Sequence, residues 1–367
     1  MKHIVVLPGD GIGPEVTAQA VRILLAVLSH HQVSHQLDEA LIGGAALDAC
    51  GEPLPQDTLH RAQQADAVLL GAVGGPRWDQ LPAGQRPERG LLALRAGLGC
   101  FANLRPIRVM APLLSQSALK NERACGVDLV VVRELTGGLY FSEPRGIQRE
   151  PTVAAWNTMR YEAAEIDRIA RLAFQLAEQR SGKLVSVDKA NVLEVSRLWR
   201  ERVDRLAHDH PGVALRHLYV DNAAMQLVVA PRQFDVLLTE NMFGDILSDV
   251  GGAVVGSLGL LPSASLNAQG KGIYEPLHGT APDLAGRDVA NPIGAILSVA
   301  MLLEHGLGMP AAAQVVERAV EKALLYGRTA DLAAEGLPVL GTIAFGDLVL
   351  QMVQGELPKG GQEGQGA

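Results

Sequence analysis

The sequence predicts an α/β fold arranged in more than one domain, and three observations carry that reading. Short apolar runs alternate with longer stretches of helical period, the pattern of strands joined by helices. The runs end in glycine-rich or polar loops, where ligands sit in folds of this class. The chain of 367 residues is also longer than one simple core accommodates.

Ile4-Val5-Val6-Leu7 reads as a buried strand closed by the loop Pro8-Gly9-Asp10-Gly11-Ile12-Gly13. Pro14 suits the first helical position, Glu15 faces the positive end of the helix dipole, and Val16 to Leu28 continues the helix. Ala67 to Leu70 is a second strand, ending in Gly71 to Pro76. Val127 to Val132 is a third and delivers Arg133-Glu134-Leu135-Thr136-Gly137-Gly138. Ala163 to Arg180 reads as a long amphipathic helix, with further strands at Leu184 to Val187 and Asp235 to Leu238. Val250 to Gly270 carries no charge, but its glycines and Pro262 suit a packed loop-and-strand segment rather than a membrane span. The Gly- and Gln-rich tail from Gly355 to Ala367 is expected to be mobile.

Composition excludes several classes. At 48% hydrophobic and 20% charged, the chain is globular rather than disordered. A net charge of −8 argues against a large basic surface for nucleic acid. Three cysteines, Cys50, Cys100 and Cys125, lack metal-ligand spacing and read as reduced cytoplasmic thiols. The opening run Gly9-x-Gly11-x-Gly13-Pro14 has proline where the dinucleotide fingerprint needs glycine, so an ordinary Rossmann fold is rejected there. Ligand contact and close packing both remain open for those glycines.

The chemistry concentrates in a few segments. Asn241 to Asp249 places Asp245 and Asp249 at i and i+4, on one face of a helix expected to begin there. Paired carboxylates repel unless a cation joins them, and Mg²⁺ or Mn²⁺ prefers such oxygens; the alternative is a solvated helix face. Asp221 is a third candidate ligand. Arg95, Arg105 and Arg133 lie in apolar settings where a guanidinium needs an anion, either a bound dicarboxylate or a glutamate such as Glu134. Tyr140 follows a glycine-rich turn and Lys189 follows a strand. Either could act as acid or base if its pKa were lowered, or be structural. Tyr274 to Asp283, continuing to Asn291, has small residues suited to phosphate or adenosine, although His278 alone reads equally as structural.

Taken in order, Pro8 to Glu15, Asn103 to Pro106, Arg133 to Gly138, Val187 to Val192 and Phe243 to Asp249 closely resemble the β-decarboxylating dehydrogenases of isocitrate and isopropylmalate, the isopropylmalate branch above all. The likeness runs from Ile4 to about Asp347. It implies the two-domain isopropylmalate/isocitrate dehydrogenase-like fold: residues 1–100 with 254–367 form a cofactor domain, and 101–253 form a metal, substrate and dimerisation domain. It implies NAD-dependent oxidative decarboxylation of (2R,3S)-3-isopropylmalate to 4-methyl-2-oxopentanoate and CO₂, in leucine biosynthesis. Asp221, Asp245 and Asp249 would hold Mg²⁺ or Mn²⁺, and Arg95, Arg105 and Arg133 the carboxylates. Lys189 would take the hydroxyl proton and Tyr140 would protonate the enol. Glu88, Leu91, Leu92 and the partner's Val192 would select the branched substrate. Ile12, the segment Gly75 to Glu88, and His278, Gly279, Thr280, Ala281, Pro282, Asp283 and Asn291 would hold NAD, with Asp283 on the adenosine ribose. Lys189 and Asp221 reaching into a second subunit's site imply a cytoplasmic homodimer with shared active sites, touching neither nucleic acid nor membrane.

Two departures from the family pattern stand out. Val250 replaces a usual glutamate and is followed by Gly251-Gly252, which suggests a shorter or looser metal-bearing helix. Ser142 replaces a common glycine in the turn after Tyr140. Sibling activities on D-malate, tartrate or homoisocitrate are the nearest rivals. A non-catalytic regulatory subunit would be expected to have lost Tyr140, Lys189 or the aspartates, and a phosphoryl-transfer enzyme would carry a Walker-type loop that is absent here.

Overall fold

A computed structural model describes residues 1–357 of the chain. In chain order the elements are β1 (Lys2–Gly9), α1 (Gly13–His30), β2 (His35–Glu39), α2 (Gly43–Cys50), α3 (Gln56–Gln64), β3 (Ala67–Ala72), α4 (Pro87–Gly97), β4 (Ala102–Arg108), α5 (Asn121–Ala124) and β5 (Asp128–Glu134). A short hairpin, β6 (Gly146–Gln148) and β7 (Ala154–Trp156), precedes α6 (Ala163–Gln179), β8 (Lys183–Asp188), α7 (Glu194–Ala207), β9 (Ala214–Tyr219), α8 (Val220–Val229), β10 (Val236–Thr239) and α9 (Asn241–Val255). The chain closes with β11 (Pro262–Leu266), β12 (Gly272–Pro276), α10 (Ile293–Met301), α11 (Pro310–Ala323) and α12 (Thr342–Glu356).

Two compact units form. Met1–Leu94 joins Lys271 onward, and Arg95–Gly270 makes the other. The expected boundaries lay at 100/101 and 253/254; the middle unit is longer at both ends. In the first unit the strand order is β2-β1-β3-β12, all parallel. Strand β3 is buried throughout, as a parallel strand covered on both faces must be. The packing of α1 against α10 and α12, and of α10 against β12, supplies one cover.

In the middle unit the order is β11-β4-β5-β10-β8-β9. Strand β4 runs antiparallel to both β11 and β5, while β5, β10, β8 and β9 are mutually parallel. Their registers align Arg133 with Thr239, Thr239 with Val187, and Val187 with Leu218. The carboxyl ends of four strands therefore open on one edge, so the segments carrying Arg133, Asp245, Lys189 and Asp221 all leave the sheet on the same side.

The opening glycines serve close packing. Gly9 and Gly11 have positive φ, and a Cβ would meet the carbonyl oxygen of Ala72 at 2.0 Å from Gly9 and that of Thr280 at 2.1 Å from Gly11. Gly251 and Gly252 likewise do not shorten α9, which runs on to Val255. Both are buried, and a Cβ would meet Ile107 at 2.2 Å from Gly251 and Leu258 at 2.5 Å from Gly252. The uncharged stretch from Val250 is thus the end of α9 followed by β11. Among the described residues no helix is long and apolar enough to cross a membrane. Gly355, expected to begin a mobile tail, lies inside α12, where Glu356 pairs with Arg318 at 3.1 Å and with Lys322. The rest of that tail, from 358, falls outside the described residues.

Candidate active site

The centre of the middle unit is Asp245, near the start of α9. That helix begins at Asn241, four residues before Asp245, because the Glu240 carboxylate caps it, accepting from the amides of Met242 at 3.0 Å and Phe243 at 2.7 Å. Arg133 Nη1 donates to Asp245 Oδ1 at 2.6 Å, Arg105 Nη1 donates to the same oxygen at 3.1 Å, and the Tyr140 hydroxyl donates to Oδ2 at 3.0 Å. Both guanidiniums are buried. Burial alone would raise the Asp245 pKa, but Arg133 and Arg105 outweigh it and hold the carboxyl below its ordinary value. Burial depresses the Arg133 pKa, with Asp245 opposing and the nearby Arg95 charge reinforcing the effect.

Further contacts orient these groups. Arg133 also donates to Asn241 through Nε (2.8 Å to the carbonyl) and Nη2 (2.8 Å to Oδ1). Asn103 is wholly buried, donates to Ser263 Oγ at 2.7 Å and accepts from Arg105 Nε at 2.6 Å. The sequence reading offered Glu134 as the alternative partner for Arg133, and the structure assigns it elsewhere. Glu134 accepts from the amides of Thr136 and Gly137, both at 2.8 Å, and from Arg168 at 3.2 Å. It thereby folds the turn that presents Tyr140. The sequence left Tyr140 as an acid or base if its pKa were lowered, or as structural. Burial, followed by the charge and hydrogen bond of Asp245, raises it instead. Ser142 leaves the turn intact: its amide donates to the Gly138 carbonyl at 3.1 Å.

Asp249 lies one turn beyond Asp245 on α9 and is exposed. Lys189 and Asp221 form a separate pair at the ends of β8 and β9, with Nζ 2.6 Å from Oδ1. That hydrogen bond is the leading cause of a lowered Asp221 pKa. Val192 is 62% exposed. Among the described residues, no three His, Cys, Asp or Glu side chains cluster closely enough to hold a metal ion. Asp221 follows β9 whereas Asp245 and Asp249 follow β10, two strands away, roughly 10 Å at the usual spacing. Asp245 and Asp249 offer carboxylate oxygens to a hard cation that tolerates water in its remaining positions, which fits Mg²⁺ or Mn²⁺.

In the first unit, Gly74 and Gly75 leave β3 with φ of 122° and 146°. A Cβ on Gly74 would meet Glu88 Oε1 at 2.6 Å, so that exposed carboxylate lies over the loop. Glu88, Leu91 and Leu92 share one side of α4, and both leucines are half-buried, while Arg95 on the same helix belongs to the middle unit. The Ile12 amide donates to the Thr280 carbonyl at 2.8 Å, which brings the first loop against the segment after β12. Ala281 has a φ of 37°, an unusual value for a residue with a side chain. His278 Nδ1 is 2.9 Å from the Gly279 carbonyl, and burial lowers the ring's pKa. Pro282 and Asp283 are exposed, whereas Asn291 caps α10 through the Ile293 amide at 2.9 Å and donates to Asp331 at 3.0 Å.

Sequence reasoning missed Asp10. Buried, it accepts from the amides of Gly44 at 2.8 Å, Gly74 at 2.8 Å and Ala45 at 2.7 Å, tying the glycine loop after β3 to α2. Burial raises its pKa despite these three bonds. Its signal was its place between two glycines that exist for close approach. Glu15, read as a dipole partner, also accepts from the Gly286 amide.

Comparisons with known proteins show the family. The family model described as isocitrate/isopropylmalate dehydrogenase matches residues 3–349. The 3-isopropylmalate dehydrogenase of Gloeobacter violaceus is 57% identical over 350 residues, covering 95% of this chain and 97% of the relative. That of Thermosynechococcus vestitus is 56% identical, covering 95% and 98%. Among solved structures, isocitrate dehydrogenase from Methylococcus capsulatus aligns with a TM-score of 0.85 at 34% identity, covering 96% of this chain and 100% of that one. A β-decarboxylating dehydrogenase from Thermococcus kodakarensis, in its apo form, aligns at 0.79 and 33% identity, covering 97% of each. With the family matched along nearly its whole length and relatives above half identity, the chain belongs to the isocitrate/isopropylmalate dehydrogenase family.

Proposed function

We propose that this protein catalyses the NAD-dependent oxidative decarboxylation of (2R,3S)-3-isopropylmalate to 4-methyl-2-oxopentanoate and CO₂, a step of leucine biosynthesis. The observation that carries the reading is the convergence of Arg105, Arg133 and Tyr140 on the two oxygens of Asp245. Two buried guanidiniums on one carboxylate leave a surplus positive charge, which suits an anionic substrate. Relatives named 3-isopropylmalate dehydrogenase at 56–57% identity support 3-isopropylmalate as the substrate.

Asp245 and Asp249, with Asp221 of a second copy, would hold Mg²⁺ or Mn²⁺, which when bound supplies Lewis-acid stabilisation of the charge that develops as CO₂ leaves. Arg95, Arg105 and Arg133 would grip the substrate carboxylates. Lys189 would accept the hydroxyl proton, and the Tyr140 hydroxyl, already a donor to Asp245, would deliver a proton to the enol carbon. Leu91 and Leu92 would bury the isopropyl group, and unbranched malate would forgo that burial. NAD would lie along the Ile12, Gly75 to Glu88 and His278 to Asn291 segments, with Asp283 free to meet the ribose hydroxyls.

A homodimer is part of this reading. Asp221 and Val192 face outward, and Ile246 on α9 and Met225 on α8 are each 53% exposed, beside Val228 and Val229. Apolar side chains grouped in this way suit a second copy. A cytoplasmic setting suits three cysteines that form no disulfide. The test is an assay of purified protein with Mn²⁺, NAD⁺ and 3-isopropylmalate, following NADH and CO₂ together. Equimolar appearance of both is expected. NADH without CO₂ would remove the decarboxylation, and a preference for D-malate would remove the substrate assignment.

A further inference from the structure

Lys189 and Asp221 sit at the ends of two neighbouring strands, and one side chain addresses both ends. Arg200, on α7, donates from Nε to Asp188 Oδ2 and from Nη2 to Asp188 Oδ1, each at 2.9 Å. Asp188 is 1% exposed, and its Oδ1 also accepts from the Ala190 amide at 2.9 Å. The residue before Lys189 thus supplies a buried carboxylate, and the residue after it donates to that carboxylate. The Lys189 amide donates to Ser196 Oγ at 3.1 Å, also on α7. The same guanidinium lies 5.3 Å from the Tyr219 ring centroid. Tyr219 is the N-cap of α8, and Asp221 is in the first turn of that helix.

We propose that Arg200 is a positioning residue for the Lys189–Asp221 pair, clamping the end of β8 through Asp188 and the start of α8 through Tyr219 so that the ammonium is held at the reach the reaction requires. The inference rests on the reading of Lys189 as the proton acceptor. Its physical basis is the cost of leaving Asp188 buried without a counter-charge. Stripped of Arg200, Asp188 would draw on the remaining cations near it. The Lys189 ammonium is one residue away, while the His217 ring, whose Nδ1 is 3.7 Å from Asp188 Oδ2, is already engaged through Nε2 by Asp204 at 2.8 Å. Drawing Lys189 back breaks its 2.6 Å contact with Asp221. A salt bridge that only stabilised α7 would have no reason to grip the chain on both sides of that contact.

The test uses the full-length protein with Mn²⁺, NAD⁺ and 3-isopropylmalate. Arg200→Met is expected to lower kcat by about 10–100-fold, the cost of displacing a reacting group by around an ångström, with KM for NAD⁺ within about twofold of the parent. Arg200→Lys is expected to recover only part of the loss, because one ammonium does not reproduce a two-pronged grip. In a Lys189→Met background, Arg200→Met is expected to change the residual kcat by less than about twofold, since the group it positions is gone. Independent, multiplicative losses in the double variant would overturn the proposal, as would wild-type kcat in folded Arg200→Met. Full activity of Lys189→Met alone would overturn the catalytic reading and this inference with it. Should Arg200→Met fail to fold, Tyr219→Leu removes half of the clamp and decides the same question by the same double-variant comparison.

Discussion

Arg133 with Asp245 and Lys189 with Asp221 are both ion pairs of 2.6 Å at the same edge of one sheet, yet they are opposite in character. The Arg133 side chain is 5% exposed and has further bonds to Asn241, while Arg105 joins it on the same carboxylate. Asp221 is 67% exposed, and Lys189 is its one charged partner among the described residues. Equal lengths therefore hide unequal energies. The buried cluster is expensive to break because a stranded guanidinium has no water to turn to. The exposed pair is worth little in isolation and is free to exchange partners. The comparison teaches that one part of the site is completed within the chain, while the other is left facing outward.

The most damaging way to break the contrast is Asp245→Ala. It removes the carboxylate that Arg105 and Arg133 share, and we expect a loss of about 2–4 kcal/mol in urea denaturation, less than for a fully buried pair because Asp245 is partly exposed. Turnover of 3-isopropylmalate should fall by about 10²–10³-fold or more. Lys189→Met should lower kcat by about 10²–10⁴-fold yet move stability by less than about 1 kcal/mol, and a large drop in thermal stability would contradict the contrast. Gly251→Ala tests the packing beneath Asp245. Its Cβ would meet Ile107 Cδ1 at 2.2 Å, and a loss of about 1–3 kcal/mol is expected, with activity falling only as the folded fraction does.

The smallest effect is a pH dependence at the far end of β10. Asp235 accepts from Arg180 Nε at 2.6 Å and from the Ser181 amide at 2.8 Å. Burial pushes its pKa up, but Ser181 and Arg180 prevail and the net shift is downward. A carboxyl lowered by folding adds stability above its unfolded value, near pH 3.9, and loses it as pH falls through the folded value. Asp235→Asn should therefore cost about 1–2 kcal/mol at pH 7 by urea denaturation, and its difference from the parent should close as pH falls through the folded value. This half-buried pair lies away from the proposed chemistry, so kcat should stay within about twofold. A deficit that persisted at acid pH would place its origin in packing.

Much of the site could be read in the chain because its groups follow strand ends, where apolar runs stop abruptly. Arg133 after Val127 to Val132 and Lys189 after Leu184 to Val187 are marked in that way. Asp10, Asn103 and Arg200 were not marked, because each acts by accepting from or bonding to groups brought near by folding. Gly251 and Gly252 misled for a related reason. Their low helix propensity is a local property, whereas the space they leave for Ile107 and Leu258 is a tertiary one.

The sequence by itself determined the alternation of strands and helices, the i, i+4 placement of Asp245 and Asp249, and the loops that begin at strand ends. These depend on backbone period and on neighbours within a few residues. Only the tertiary structure decided that Arg133 bonds Asn241 and Asp245 rather than Glu134, that the glycines near the start press on Ala72 and Thr280, and that Lys189 meets Asp221. Each of those outcomes depends on strand order, which brings β1 beside β3, β5 beside β10 and β8 beside β9. A buried charge takes the best-placed counter-charge in space, and distance along the chain does not enter that choice.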